Sequence, residues 1–265
     1  MEIILRSCVE LDAEEIGELL FEAFNFEALT LSINYTPEEL RTYWTCAGEK
    51  MAKHSTLAAT SAKNGEIVGV ACLEELDLSE IQELRKPMTF LDPIDFALRI
   101  VRRSFWAKFL ETFQGVPVHT CIYRLSFLGV KPCHFGKGIA GKLMDEVHRV
   151  FSSNDGYTNV IYSESSVNGT QKILSKRNWD EWGRFKYEDL RREYGTFVTN
   201  VSAKENIASI ASITEPEYLE RALMYPDEIL NHTETLLSIG MQDNYKIWGP
   251  IESVDSILLQ VIFIS

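Results

Sequence analysis

The sequence predicts an α/β (α+β) protein built on a mixed sheet with some parallel pairing. Three observations carry this. Strand-length apolar runs alternate with helix-period segments through residues 3–213. The second half runs strand, loop, helix, strand, helix, an order that needs a crossover connection. Two apolar runs are also joined by Lys63-Asn64-Gly65, a turn signal that belongs to an antiparallel hairpin.

Ile3 to Val9 reads as a short first strand. Asp12 then stands at the start of a helix with Ile16, Leu19, Leu20, Ala23 and Phe24 on one face. Glu15, three residues on, has the spacing of a capping box. A second helix opens at Thr36-Pro37-Glu38-Glu39, with proline at the first helical position, and runs towards His54. Leu57 to Ser61 and Glu66 to Leu73 are the arms of the hairpin. Residues 78–115 read as a mostly helical insertion interrupted at Pro87 and Pro93. Its Arg99, Arg102, Arg103 and Lys108 are expected on a solvated helix face, as charge runs generally are.

His119 to Val130 reads as a long strand. After a loop comes a helix over about Ile139 to Phe151, in which Ile139, Leu143, Met144, Val147, Val150 and Phe151 recur at helical spacing. A strand follows at Thr158 to Ser163 and a helix at about Gly169 to Arg177. Strands near Trp182 to Leu190 and Thr196 to Ile213 close the domain. Residues 214–265 carry no motif and read as a C-terminal extension of unknown role.

Composition sets bounds on partners. Across 265 residues, 26 Lys and Arg stand against 39 Asp and Glu, a formal net charge of −13. Such a field repels nucleic acid and anionic membranes and attracts cations, and no local basic patch offsets it. The five cysteines are scattered and odd in number, as suits reduced thiols in a cytosol. The start Met1-Glu2-Ile3-Ile4-Leu5-Arg6 has neither a basic nor an apolar leader, and no run approaches the roughly 18 apolar residues of a membrane span. A cytoplasmic location is therefore expected. His119, His134 and His148 have no metal-ligand spacing, so no metal is expected.

The most informative segment runs from Leu128 to Leu143. Gly136 to Gly141 has the G-x-G-x-x-G spacing of a dinucleotide loop, but that loop needs its first glycine at the strand end, and here Lys131 to Phe135 intervene. Gly136 to Lys142 also fits G-x-x-x-x-G-K, but Leu143 stands where a magnesium-binding hydroxyl belongs. Two readings remain. The glycines can make a plain turn before a helix. Alternatively, free amides of the first helical turn, with the helix dipole and Lys137 and Lys142 nearby, hold a pyrophosphate, Gly136 and Gly138 letting the backbone approach it.

The same run resembles the acetyl-CoA-binding motif of the GCN-related N-acetyltransferase superfamily, Gln/Arg-x-x-Gly-x-Gly/Ala, with Cys133 in the first place. Thr158 to Ser163 resembles the strand that follows, Asn168 to Trp179 the next helix and its aromatic end, and Arg184 to Asp189 a closing strand. More narrowly, Ile139-Ala140-Gly141-Lys142-Leu143 and Phe26-Glu27-Ala28-Leu29 are similar to segments of the invertebrate arylalkylamine (dopamine-type) N-acetyltransferases. The resemblance covers residues 3–213, apart from the insertion. It implies an acyl-CoA N-acyltransferase fold, a splayed mixed sheet with helices on both faces. It further implies that backbone groups of Leu128, Gly129 and Val130 bond the pantetheine of acetyl-CoA. The pyrophosphate would lie on the amides of His134, Phe135, Gly136, Lys137, Gly138, Ile139 and Ala140.

The resemblance also assigns chemistry. Transfer of acetyl to a small primary amine, of arylalkylamine type, needs a base for the ammonium and help for the departing thiolate, with both substrates held together. Glu27 takes the base position, flanked by Phe24, Phe26 and Leu29; a solvent-facing loop glutamate is the plainer reading. The superfamily's frequent tyrosine is replaced by Leu174. The amine branch instead carries hydroxyls near the helix start, matching Ser166 and Thr170, which could equally cap that helix. Tyr35, Tyr43, Trp44, Phe90 and Trp106 are candidates for an aromatic acceptor pocket or for core. Two alternatives stay open: a non-catalytic acyl-CoA-binding relative, and transfer to a polyamine, amino acid or protein amine.

Overall fold

The structure is a computed structural model and describes residues 2–25, 27, 30, 35–76, 93–113, 120–151, 158–189 and 206–214. His119, Phe26, Ala28, Leu29 and Phe90, the first part of the insertion and the proposed extension beyond 214 lie outside the described residues.

Among the described residues seven strands form one sheet. They are β1 (Ile3–Ser7), β2 (Ser55–Ser61), β3 (Ile67–Glu75), β4 (Thr120–Val130), β5 (Thr158–Ser165), β6 (Asp180–Lys186) and β7 (Asn206–Thr214), in the order β1-β2-β3-β4-β5-β7-β6. Only β4 and β5 run parallel, and the helix between them is the crossover that the sequence demands. Every other described pair is antiparallel. In the β2–β3 hairpin only Gly65 takes a positive φ, +75°, so the connection is a longer loop closed by Gly65 N–H to Ser61 O rather than a two-residue Asn-Gly turn.

Helices cover both faces. On one face, α1 (Ala13–Phe24) and α2 (Pro37–Met51) pack over β2 and β3. Ile16, Leu19 and Leu20, spaced one turn apart, are fully buried there against Trp44, Val70 and Cys72. Beside them α3 (Pro93–Phe113) lays Phe105, Trp106 and Phe109 over Val160, Tyr162 and Ala211. On the opposite face α4 (Ile139–Phe151) and α5 (Asn168–Ser175) bury Leu143, Met144, Val147 and Leu174 against Ala71, Leu73, Ile161 and Ile210. Among the described residues no helix is long and apolar enough to cross a membrane.

Local signals act where expected in α2. Thr36 Oγ1 accepts the Glu39 amide at 3.2 Å while the Glu39 carboxylate accepts the Thr36 amide at 2.7 Å, a complete capping box ahead of Pro37. These bonds hold the Glu39 carboxyl below its ordinary range. At α1 the expected box does not form. Asp12 is drawn away by Arg6, with bonds of 2.7 and 2.8 Å, and accepts the Val9 amide. Glu15 instead accepts the Ile67 amide at 2.7 Å, tying α1 to the start of β3.

Two other expectations are corrected, for Val150 and for the basic face of the insertion, and the choice left open for Trp106 is decided. Val150 is exposed rather than part of the helix anchor. Trp106 is core, stacked edge-on to Tyr162. The basic face of the insertion is only partly solvated: Lys108 is exposed, but Arg103 is buried and Arg102 is half-buried against Glu164. The sheet supplies a carboxylate there that α3's own sequence does not reveal.

Candidate active site

The site forms where the two central strands part. The parallel ladder of β4 and β5 ends at Arg124↔Tyr162. Beyond it, Ser163 to Ser165 pair with β7, and Leu125 to Val130 stay with β3. One side-chain bond, Ser163 Oγ to Leu125 O at 3.1 Å, crosses the opening. A bulge sits at the same place. Cys72 faces Phe127 but the next residue, Leu73, faces Leu125, so Ser126 is the extra residue. The bulge puts Arg124 and Phe127 on one face although they are three apart.

A cavity of about 390 Å³ lies over this opening, between the sheet and α1, α2 and α3. Phe24, Trp44 and Phe127 wall one side, their ring centroids 5.3–5.9 Å apart. Tyr43 meets Trp44 edge-on and also lines the cavity, whereas Tyr35 packs on the α1–α2 core.

Of the sequence-predicted catalytic residues, Glu27, Ser166 and Thr170 all line this cavity. Glu27 is held by a turn after α1, its amide bonded to Phe24 O at 3.0 Å. Its Oε2 accepts the amide of buried Thr30 at 3.1 Å. The carboxylate is half-buried, not a solvent-facing loop group. Ser166 and Thr170 do not cap α5: Val167 occupies that position, with no side-chain bond to the helix. Leu174 is buried core.

The charged part of the cavity was not anticipated. Glu74 and Arg124 are direct cross-strand partners, and the guanidinium Nε bonds Glu74 at 2.8 Å. Lys50 from α2 and Ser126 also engage the Glu74 carboxylate. Burial alone would raise this carboxyl, but the charge of Arg124 and the hydrogen bonds of Lys50, Ser126 and Arg124 outweigh it and hold it at about 2. A second pair, Arg102 Nε to Glu164 at 2.8 Å, lines the same space. The signal was a charged residue inside an otherwise apolar strand, at Glu74 in Val-Ala-Cys-Leu-Glu and at Arg124 in Ile-Tyr-Arg-Leu. Such a residue needs a partner.

Leu128, Gly129 and Val130 lie in the unzipped half of β4, paired with Ala71, Val70 and Gly69 on the other side. The chain then makes a short turn at Pro132–His134 and enters α4. Gly136 and Gly138 both take φ +76°, with open space where a Cβ would stand. The amides of His134 and Phe135 are committed to Lys131 O at 2.8 Å and Pro132 O at 3.1 Å, and that of Lys137 reaches His134 O at 3.4 Å. Those of Gly136, Gly138, Ile139 and Ala140 donate to no acceptor among the described residues. The Lys137 ammonium folds back onto Cys133 O at 3.0 Å and His134 Nδ1 at 2.8 Å. His148 is structural, its Nε2 accepting the Trp179 indole at 2.5 Å.

No family model matches the chain, and no curated protein is significantly similar to it. Solved structures are similar in fold. Arylalkylamine N-acetyltransferase 2 from Aedes aegypti is 18% identical, with 81% of this chain and 100% of that one covered and a TM-score of 0.61. A mosquito arylalkylamine N-acetyltransferase like 5b is 16% identical, with 80% and 100% covered and a TM-score of 0.59. A Drosophila melanogaster polyamine N-acetyltransferase is 15% identical, with 80% and 99% covered and a TM-score of 0.58. The chain therefore has the acyl-CoA N-acyltransferase fold, the mixed sheet of these acetyltransferases with its central strands parted.

Proposed function

We propose that the chain is an acetyl-CoA-dependent N-acetyltransferase acting on a small primary amine by direct attack within a ternary complex. The observation that carries this reading is the parting of β4 and β5 beyond Arg124 and Tyr162, which opens a slot beside a cavity lined by Glu27, Ser166 and Thr170. The neighbours named above act, by their descriptions, on arylalkylamines and polyamines, which supports an amine acceptor.

Acetyl-CoA supplies an activated acyl carbon and a thiolate leaving group. This chain would hold it along Leu128, Gly129 and Val130, as an added strand would. The pyrophosphate would rest on the amides of Gly136, Gly138, Ile139 and Ala140, a narrower set than the run from His134 to Ala140, because His134, Phe135 and Lys137 already bond within the turn. Glycine at positions 136 and 138 removes the Cβ that would crowd the phosphates.

Glu27 is the base in this reading. It takes the ammonium proton of the acceptor, directly or through a water, while the Thr30 amide fixes one carboxylate oxygen. Ser166 and Thr170, not consumed in helix capping, hydrogen-bond the departing sulfur. No covalent enzyme intermediate is needed, since holding both substrates in one cleft supplies much of the acceleration.

The test is calorimetry with acetyl-CoA, followed by mass spectrometry of amine mixtures incubated with wild type and Glu27→Gln. Heat of binding and an acetylated amine lost in the variant support the assignment. Binding without product for any amine makes the chain an acyl-CoA-binding module. No heat at millimolar ligand overturns the reading.

A further inference from the structure

Taken together, the cavity charges define the acceptor's chemistry, an inference that rests on the acetyltransferase reading. Around Glu74 two cations share one carboxylate: Lys50 and Arg124 both bond it, leaving one positive charge in excess. The Arg102–Glu164 pair is neutral by itself. Glu27 adds one negative charge elsewhere in the lining. Among the described lining residues the formal charges thus sum to zero, with the positive excess at Lys50–Glu74–Arg124 and the balancing negative charge on Glu27.

Arg124 has the capacity to bind a further anion. Its Nε and Nη2 serve Glu74 and Ser126, while Nη1, with two N–H donors, meets no acceptor among the described residues. The side chain is only 14% exposed, and it sits at the last rung before the strands part, beside the slot. A monocationic amine would satisfy Glu27 and leave the excess positive charge unmatched. An acceptor carrying both an ammonium and a carboxylate would match both charges. The aromatic wall of Phe24, Trp44 and Phe127 would take an apolar side chain.

We propose that the acceptor is a zwitterionic amino acid with an apolar side chain, its carboxylate on Arg124 and Lys50 and its amine at Glu27. The transfer balances as for any amine. The ammonium first gives one proton to Glu27; the neutral nitrogen then bonds the acyl carbon as the carbon–sulfur bond breaks, and its second proton passes to the departing thiolate, which leaves as the coenzyme A thiol. The products are an N-acetylamino acid and free coenzyme A.

The experiment compares phenylalanine with phenethylamine, and leucine with isopentylamine, pairs that differ by one carboxylate. Coenzyme A release and acetylated product are measured with purified wild type, Lys50→Met and Arg124→Met. The expected result is a kcat/KM for the amino acid at least ~10-fold above that for its amine, as one charge-assisted contact provides. In both variants the ratio of kcat/KM for the amino acid to that for its amine falls towards one. Lys50 is largely exposed, so its variant reports even if Arg124→Met fails to fold. Equal or better turnover of the amines by wild type overturns the proposal and leaves the acetyltransferase reading standing. Heat of acetyl-CoA binding with no amino acid turned over overturns it as well, and no heat with acetyl-CoA overturns both.

Discussion

Glu74 and Arg124 face each other across the β3–β4 ladder, a buried ion pair at the point where the sheet begins to part. The pair is strand chemistry before it is site chemistry, because removing either partner strands a charge in a low-dielectric interior.

This makes acid stability a readout. The Glu74 carboxyl, ordinarily at 4.5, is held at about 2, so its stabilisation is present in full above pH 4.5 and disappears as the pH falls through 2. The linked free energy is on the order of 3 kcal/mol. Glu74→Gln is expected to be less stable at pH 7 and to show a shallower loss between pH 4.5 and 2 in urea titrations. Identical acid limbs for the two proteins would sink this account.

The helix pair α1–α2 depends on two glycines. A Cβ at Gly48 would stand 2.4 Å from Ala13 O and 2.6 Å from Gly17 N, both backbone atoms that cannot swing aside. Gly48→Ala should therefore cost about 1–3 kcal/mol despite alanine's better helix propensity. Thermal melts followed by circular dichroism measure it, and an unchanged midpoint would contradict the close crossing.

The glycine loop offers a matched control. Gly65, Gly136 and Gly138 have φ of +75° and +76°, so alanine strains the backbone alike at each, by about 1–2 kcal/mol. Gly136→Ala and Gly138→Ala are expected to weaken acetyl-CoA binding ~10-fold or more in calorimetry, while Gly65→Ala leaves affinity unchanged. Equal affinity in all three would move the pyrophosphate elsewhere.

Glu27→Gln keeps an oxygen for the Thr30 amide but loses the base. Its kcat should fall ~10²–10⁴-fold with little change in the KM for acetyl-CoA. Ser166→Ala and Thr170→Ala should each cost less than ~10-fold, since a neutral hydroxyl orients more than it protonates. Steady-state kinetics at saturating acceptor separates these outcomes.

Much of the fold is legible because its signals are local. The Thr36–Glu39 box, the one-turn spacing of Ile139, Leu143 and Val147, and the turn at Gly65 each lie within a few residues of chain. The glycines ahead of α4 are legible for the same reason. Glu15, Arg102 and Glu74 read differently because their partners are far away: Glu15 bonds the Ile67 amide 52 residues on, Arg102 meets Glu164 across 62, and Glu74 meets Arg124 across 50. A helix face looks solvated until the sheet beneath it is known to carry a carboxylate.

The crossing of Gly17 and Gly48 has a consequence for the cavity. Lys50 lies two residues beyond Gly48 on the same helix, so the height of its backbone above the sheet is set by main chain pressed on main chain. That wall does not breathe by rotamer exchange. Tuning the chamber to a longer or shorter guest therefore falls to the side chains hung from α2, and the helix itself acts as a fixed ruler.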